Sequence, residues 1–179
     1  MPADFIIEAF ERMEYCQQHT FLVLTKRPER ISPVLYGQEG NFYLGGGDYM
    51  TNVWLGTTIE NQEMADKRIP ELLKCEPFKL FLSIEPILSK INLKLCDEFP
   101  DKDGCYEDVR HQINWVIAGA ESGHNRRECK IEWIENIVEQ CKSAYVPVFV
   151  KQIHLNGKLI KDINQFPENL RIRELPWIK

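Results

Sequence analysis

Three glutamates follow apolar runs in the same manner. Val53-Trp54-Leu55-Gly56-Thr57-Thr58-Ile59 leads into Glu60, Phe81-Leu82-Ser83-Ile84 into Glu85, and Val116-Ile117-Ala118-Gly119-Ala120 into Glu121. Two further apolar runs end in Thr25-Lys26-Arg27 and in Lys151-Gln152. If each run is a buried strand of a parallel sheet, these residues meet where such sheets bind ligands, at the carboxyl ends of the strands. Carboxylates beside lysines can do acid–base work, hold a metal ion, or accept hydrogen bonds from ribose hydroxyls. The sequence leaves all three open. Lys26, Glu60, Glu85, Glu121 and Lys151 are the catalytic candidates, and Thr57, Glu60, Ser83, Glu85, Gly119, Glu121 and Gln152 the cofactor-binding candidates. The plainer reading is that strand ends meet water, with Glu60 and Glu121 merely capping the helices that follow. All the exits are polar and the middle three repeat one sign, which favours a functional rim.

Other patterns carry less chemistry. Cys16, Cys75, Cys96, Cys105, Cys129 and Cys141 contain no pair at the short spacing that wraps zinc or an iron–sulfur cluster. Ordinary reduced cysteines are expected, and no metal site. His19, His111, His124 and His154 show no ligand spacing. The run Gly45-Gly46-Gly47-Asp48 lacks the strand-to-helix context of a phosphate cradle, so residues 36–51 read as a flexible loop. The segment from Gly119 to Arg127, with small residues and two arginines, could seat a carboxylate or phosphate but reads more simply as a solvated loop, and Arg68 as a helix-surface charge.

The elements that must position the rim alternate along the chain. Helical spacing is expected at 4–17, with Asp4 as N-cap, at 60–74, where Pro70 should split the stretch, and at 130–144. Buried strands are expected at Thr20–Thr25, Asn52–Thr58, Phe78–Ile84, Ile113–Ala118 and Val146–Val150. Residues 89–112 join two strands without a helical stripe and read as an insertion that replaces or shortens a helix. Near-continuous apolar strands alternating with amphipathic helices make an α/β protein with a parallel sheet buried on both faces. The expected architecture is a partial (β/α) barrel of about five parallel strands over 1–154, with a tail over 155–179 packing on it. The 179 residues fall short of the ~250 of a complete eight-stranded barrel. A net charge of −5 gives no sign of a nucleic-acid surface, and the apolar runs are far shorter than the ~20 residues that span a bilayer. Without a secretory leader the expected compartment is the cytoplasm.

The five ordered motifs resemble a phage- and prophage-encoded family of uncharacterised radical-SAM-like proteins. Phe21-Leu22-Val23-Leu24-Thr25-Lys26-Arg27-Pro28, the run from Asn52 to Gln62, Phe81-Leu82-Ser83-Ile84-Glu85-Pro86, Trp115 to Gly123, and Val148-Phe149-Val150-Lys151-Gln152 carry the likeness over about residues 5–153. The resemblance implies a TIM-barrel-like, radical-SAM-like fold whose N-terminal part holds a three-cysteine motif, a [4Fe–4S] cluster and S-adenosylmethionine. No such motif is present here, so this chain is expected to be the C-terminal portion of such a protein, keeping barrel strands three to seven. On its own it should bind no cluster and be inactive. By the same likeness, Thr57, Glu60, Ser83, Glu85, Gly119 and Glu121 would face ribose, amine or substrate. The alternative is a non-catalytic phage module that uses the rim to bind a nucleotide-like ligand or a protein partner. Exposed sheet edges would then serve for self-association or for meeting the missing N-terminal region. A metal-dependent hydrolase ranks third, because no His-x-x-His or Asp-x-Asp pair supports it.

Overall fold

The computed structural model describes residues 2–37, 50–75, 78–95, 98–100, 106–108 and 113–177. The glycine run at 45–47, Cys96, Cys105 and His111 lie outside them. In chain order the elements are α1 (Ala3–Tyr15), β1 (Phe21–Thr25), α2 (Ile31–Tyr36), β2 (Val53–Thr58), α3 (Gln62–Leu73), β3 (Lys79–Ile84), β4 (Glu98–Pro100), β5 (Tyr106–Asp108), β6 (Ile113–Gly119), α4 (Ile131–Ser143), β7 (Val148–Leu155) and β8 (Lys158–Ile160). One sheet runs β1-β2-β3-β6-β7-β8, and β4 pairs with β5 in a separate hairpin. Its first five strands are mutually parallel, and β8 returns antiparallel to β7. The result is a mixed α/β protein whose mostly parallel sheet curls into a half-barrel.

Strand order follows chain order, so right-handed crossovers put the helices on one side, the convex face. There Val53, Leu55, Leu80, Leu82, Val116, Val148 and Val150 pack with Phe10, Leu35, Ile69, Leu72, Ile134 and Ile137 in one core. The alternate residues Trp54, Phe81 and Trp115 form a second cluster on the concave face, joined by Ile117, Phe149, Leu175 and Trp177. Trp177 stacks edge-on against Trp54 and Trp115, with centroids 5.4 and 4.8 Å apart. Its segment is strapped along β7: Val150 N–H donates to Ile172 O, Glu174 N–H to Val148 O, and Trp115 Nε1 to Glu174 O.

Several local expectations are corrected. Pro2, not Asp4, is the N-cap of α1, and Asp4 sits in the first turn without a cap bond. Pro70 lies inside α3 and does not split it. The ring removes one backbone bond, while buried Ala65, Ile69 and Leu72 anchor the helix on both sides of it. A short α2 occupies residues left unassigned before the loop. Strand β7 runs five residues beyond Val150 and turns through Asn156 and Gly157, both at positive φ, into β8.

Between β3 and β6 no helix occurs among the described residues; an extended segment takes its place and buries Ile87, Ile91, Leu93 and Leu95. A buried extended backbone needs partners for its polar groups. Two glutamines supply them. Gln62 of α3 accepts from Asn92 N–H and donates to Asn92 O, while Gln140 of α4 accepts from Leu93 N–H and donates to Ile91 O. No helix among the described residues is long and apolar enough to cross a membrane.

Candidate functional site

The strand exits are tied edge to edge. Thr57 Oγ1 donates to Thr25 O, Ile59 N–H to Ser83 O, Leu88 N–H to Glu60 O, Ile87 N–H to Gly119 O, and Ala120 N–H to Gln152 O. Glu60, Glu85 and Glu121 therefore leave successive strands β2, β3 and β6 on one fixed frame. None is a helix cap. Asn61 caps α3 by accepting from Met64 N–H, and α4 begins only at Ile131.

Each carboxylate is engaged by cations. Glu60 Oε1 meets Lys26 Nζ at 2.8 Å, and its Oε2 meets Arg68 Nη1 at 2.9 Å. Glu85 Oε2 meets Lys151 Nζ at 2.8 Å, while its Oε1 accepts from Gln152 Nε2 at 3.0 Å. Glu121 takes the Arg127 guanidinium in a fork, at 2.6 and 2.8 Å, together with the Arg127 backbone N–H at 2.7 Å. Those hydrogen bonds hold the Glu121 carboxyl down at about 2, so it carries charge at neutral pH. The charge of Glu60 also helps hold the Arg127 proton, after the larger effect of Glu121, which places the β2 and β6 exits in one electrostatic field. Four cations face three carboxylates, so the rim is not the acidic ring that the three glutamates suggest.

The structure brings Lys26, Glu60, Glu85, Glu121, Lys151 and Gln152 to this rim as paired groups. Gln152 is 2% exposed and also donates to Ala120 O at 2.6 Å, which fixes its amide orientation. Thr57 is not brought to the rim surface. It is fully buried in the convex wall with its hydroxyl spent on Thr25 O, and the neighbouring Thr58 shares the concave face with Trp54. Ser83 is buried at 7% exposure, on the same face as Phe81. Gly119 has room around it: an added Cβ would come no nearer than 3.5 Å to Gln152 Cγ. Gly56 has none, because a Cβ there would run into the Phe81 ring.

Two rim residues stand outside the candidates that the sequence marked. Arg68 is not a surface charge: its Nη1 donates to Thr58 O at 2.6 Å and to Glu60, with only 13% of the side chain exposed. The signal was its spacing, eight residues beyond Glu60 and two turns up α3. Arg127 lies six residues beyond Glu121 in the segment read as a solvated loop, and no periodic pattern marks it. A cleft of about 640 Å³ lies next to Arg127 in the chain, lined by Arg126, Glu128, Lys130, His154 and Asn156 among others and by none of the paired rim residues.

An iron–sulfur cluster does not fit the described residues. No group of three or more His, Cys, Asp or Glu among them could hold a metal ion. Burial pushes the Cys75, Cys129 and Cys141 thiols up to about 12, away from the thiolate that ligation needs.

Fold and site define a mixed α/β half-barrel with an ion-paired rim at its strand exits. The chain belongs to the family described as a protein of unknown function (DUF5131), which matches residues 1–165. No curated protein and no solved structure matches it.

Proposed function

We propose that the chain is a ligand-binding half-barrel whose strand-exit rim takes a nucleotide-like molecule, without acid–base chemistry of its own. The observation that carries this reading is the engagement of all three carboxylates. A general acid or base needs a proton it can trade near the working pH, and Glu121 is locked as an anion by Arg127. Fixed charged groups on a backbone-tied frame are suited instead to recognition. The same engagement speaks against the metal-dependent hydrolase, since a divalent ion would have to displace a protein cation at every carboxylate. Calorimetric titration with adenosine and with S-adenosylmethionine tests the reading. Heat of binding at millimolar ligand or below supports it, and none from either compound overturns it.

The sequence motifs carry a second reading, in which the chain is the C-terminal portion of a phage radical-SAM-like, TIM-barrel-like protein. On that reading this polypeptide stays colourless after anaerobic iron–sulfur reconstitution. A brown protein absorbing near 400 nm would contradict its assignment as a cluster-free portion. The two sheet edges bear on partners. The β7 edge is covered by β8 and by the tail at Arg173, whereas β1 exposes Leu22 and Leu24 and has no strand on its outer side among the described residues. We propose the β1 edge as the surface for self-association or for a further segment of a longer protein. A strict monomer in sedimentation at high concentration would remove self-association.

A further inference from the structure

The rim pairs repeat one arrangement, acid inside and base outside. The side chains of Glu60, Glu85 and Glu121 are 13, 17 and 23% exposed, against 64, 52 and 60% for Lys26, Lys151 and Arg127. Each carboxylate also has an inner support. Arg68 holds Glu60 Oε2, Gln152 holds Glu85 Oε1, and the Arg127 backbone N–H holds Glu121 Oε2. The remaining oxygen of Glu60 and of Glu85 then tethers an exposed lysine, and the Glu121 fork tethers the exposed arginine.

An ordinary surface ion pair joins two long, solvated side chains and is worth little. Here three half-buried anchors stand on a frame of strand ends, and each presents a cation outward. An ammonium that gives one hydrogen to a carboxylate keeps two to offer. A guanidinium whose Nε and one Nη are bound keeps its other Nη hydrogens free. The chain as a whole is at −5, so this cationic crown is a local exception.

We propose that Lys26, Lys151 and Arg127 form an anion subsite that takes the phosphate groups of the rim ligand, and that the three glutamates serve to aim these cations. The proposal rests on the reading of the rim as a nucleotide-like site and narrows it to phosphorylated nucleotides. A sulfonium compound such as S-adenosylmethionine brings no phosphate and gains nothing from the subsite. Charge-assisted bonds to phosphate are about twice as strong as neutral ones, and exposed pairing weakens with salt.

Titrations with adenosine, ATP and inorganic pyrophosphate, at low and at high salt, test the subsite. ATP is expected to bind at least tenfold tighter than adenosine, with the gain shrinking as salt rises. Lys26→Met and Lys151→Met, both at exposed positions that leave the core intact, should each cut the preference for ATP over adenosine about fivefold. Adenosine binding with no gain for ATP overturns the anion subsite while the nucleoside reading stands. Pyrophosphate binding that depends on both lysines, without adenosine binding, keeps the subsite and overturns the nucleoside reading. No binding of any of the three overturns both, whereas ATP binding that ignores both lysine variants overturns the subsite alone.

Discussion

The convex face of the sheet buries Leu55, Leu80, Leu82, Val116 and Val150 under helices, whereas the concave face carries Trp54, Phe81 and Trp115 below Thr58, Ser83 and the ion-paired rim. The same strands supply both, one residue out of phase. On the convex side aliphatic residues interdigitate with helices, and almost any loss of volume leaves a cavity. On the concave side large rings close the floor with help from Trp177, so the space above them is left to polar groups. The difference assigns stability to one face and, on the proposed reading, recognition to the other.

The comparison can be broken first at its stable face. Leu82→Ala removes a fully buried side chain between the sheet and the helices. It should cost about 3–4 kcal/mol in denaturant unfolding, and a loss under 1 kcal/mol would mean that this face is not the tight one. The two glycines sharpen the concave side. Gly56→Ala drives a methyl into the Phe81 ring and should cost about 2–3 kcal/mol. Gly119→Ala meets only ordinary contacts and should stay within about 0.5 kcal/mol. Equal costs at the two glycines would remove the distinction between filled floor and open rim.

The smallest effect is at the rim itself. Glu121 sits low because of Arg127, so the pair favours the folded state above the ordinary carboxylate value of 4.5, and the contribution fades as pH falls through about 2. Arg127→Ala removes the fork but keeps the backbone N–H, so it should raise the Glu121 value toward the ordinary range, read from its side-chain carboxyl signal in an NMR pH titration. A Glu121 that stays near 2 in that variant would show that Arg127 is not what holds it.

Much of this arrangement was legible in the sequence. The parallel strands stand where continuous apolar runs end in polar residues; β2 and β3 are buried on both faces as such runs imply, while β1, expected to be buried, leaves Leu22 and Leu24 exposed as the edge strand. The amphipathic stripe of α4 identified itself through Ile134, Ile137, Val138 and Cys141. Phase within a strand was less readable: Thr57 and Thr58 are chemically alike, and only the neighbours across the sheet decide which of them faces the concavity. Helix α2 and the turn into β8 were missed because a short helix and a two-residue turn depend on long-range contacts more than on local pattern. Arg68 and Arg127 illustrate the general difficulty. A cation that anchors a carboxylate has the same composition signature as one that faces water, and the pairing exists only in three dimensions.

On the proposed reading, ligand enters at the strand exits, and amide chemical-shift mapping during an adenosine titration checks this. Perturbations are expected to gather at Lys26, Glu60, Glu85, Glu121 and Lys151. Perturbations confined to the apolar groove between α1, β1 and α2, at Ile6, Phe10 and Leu35, would contradict it.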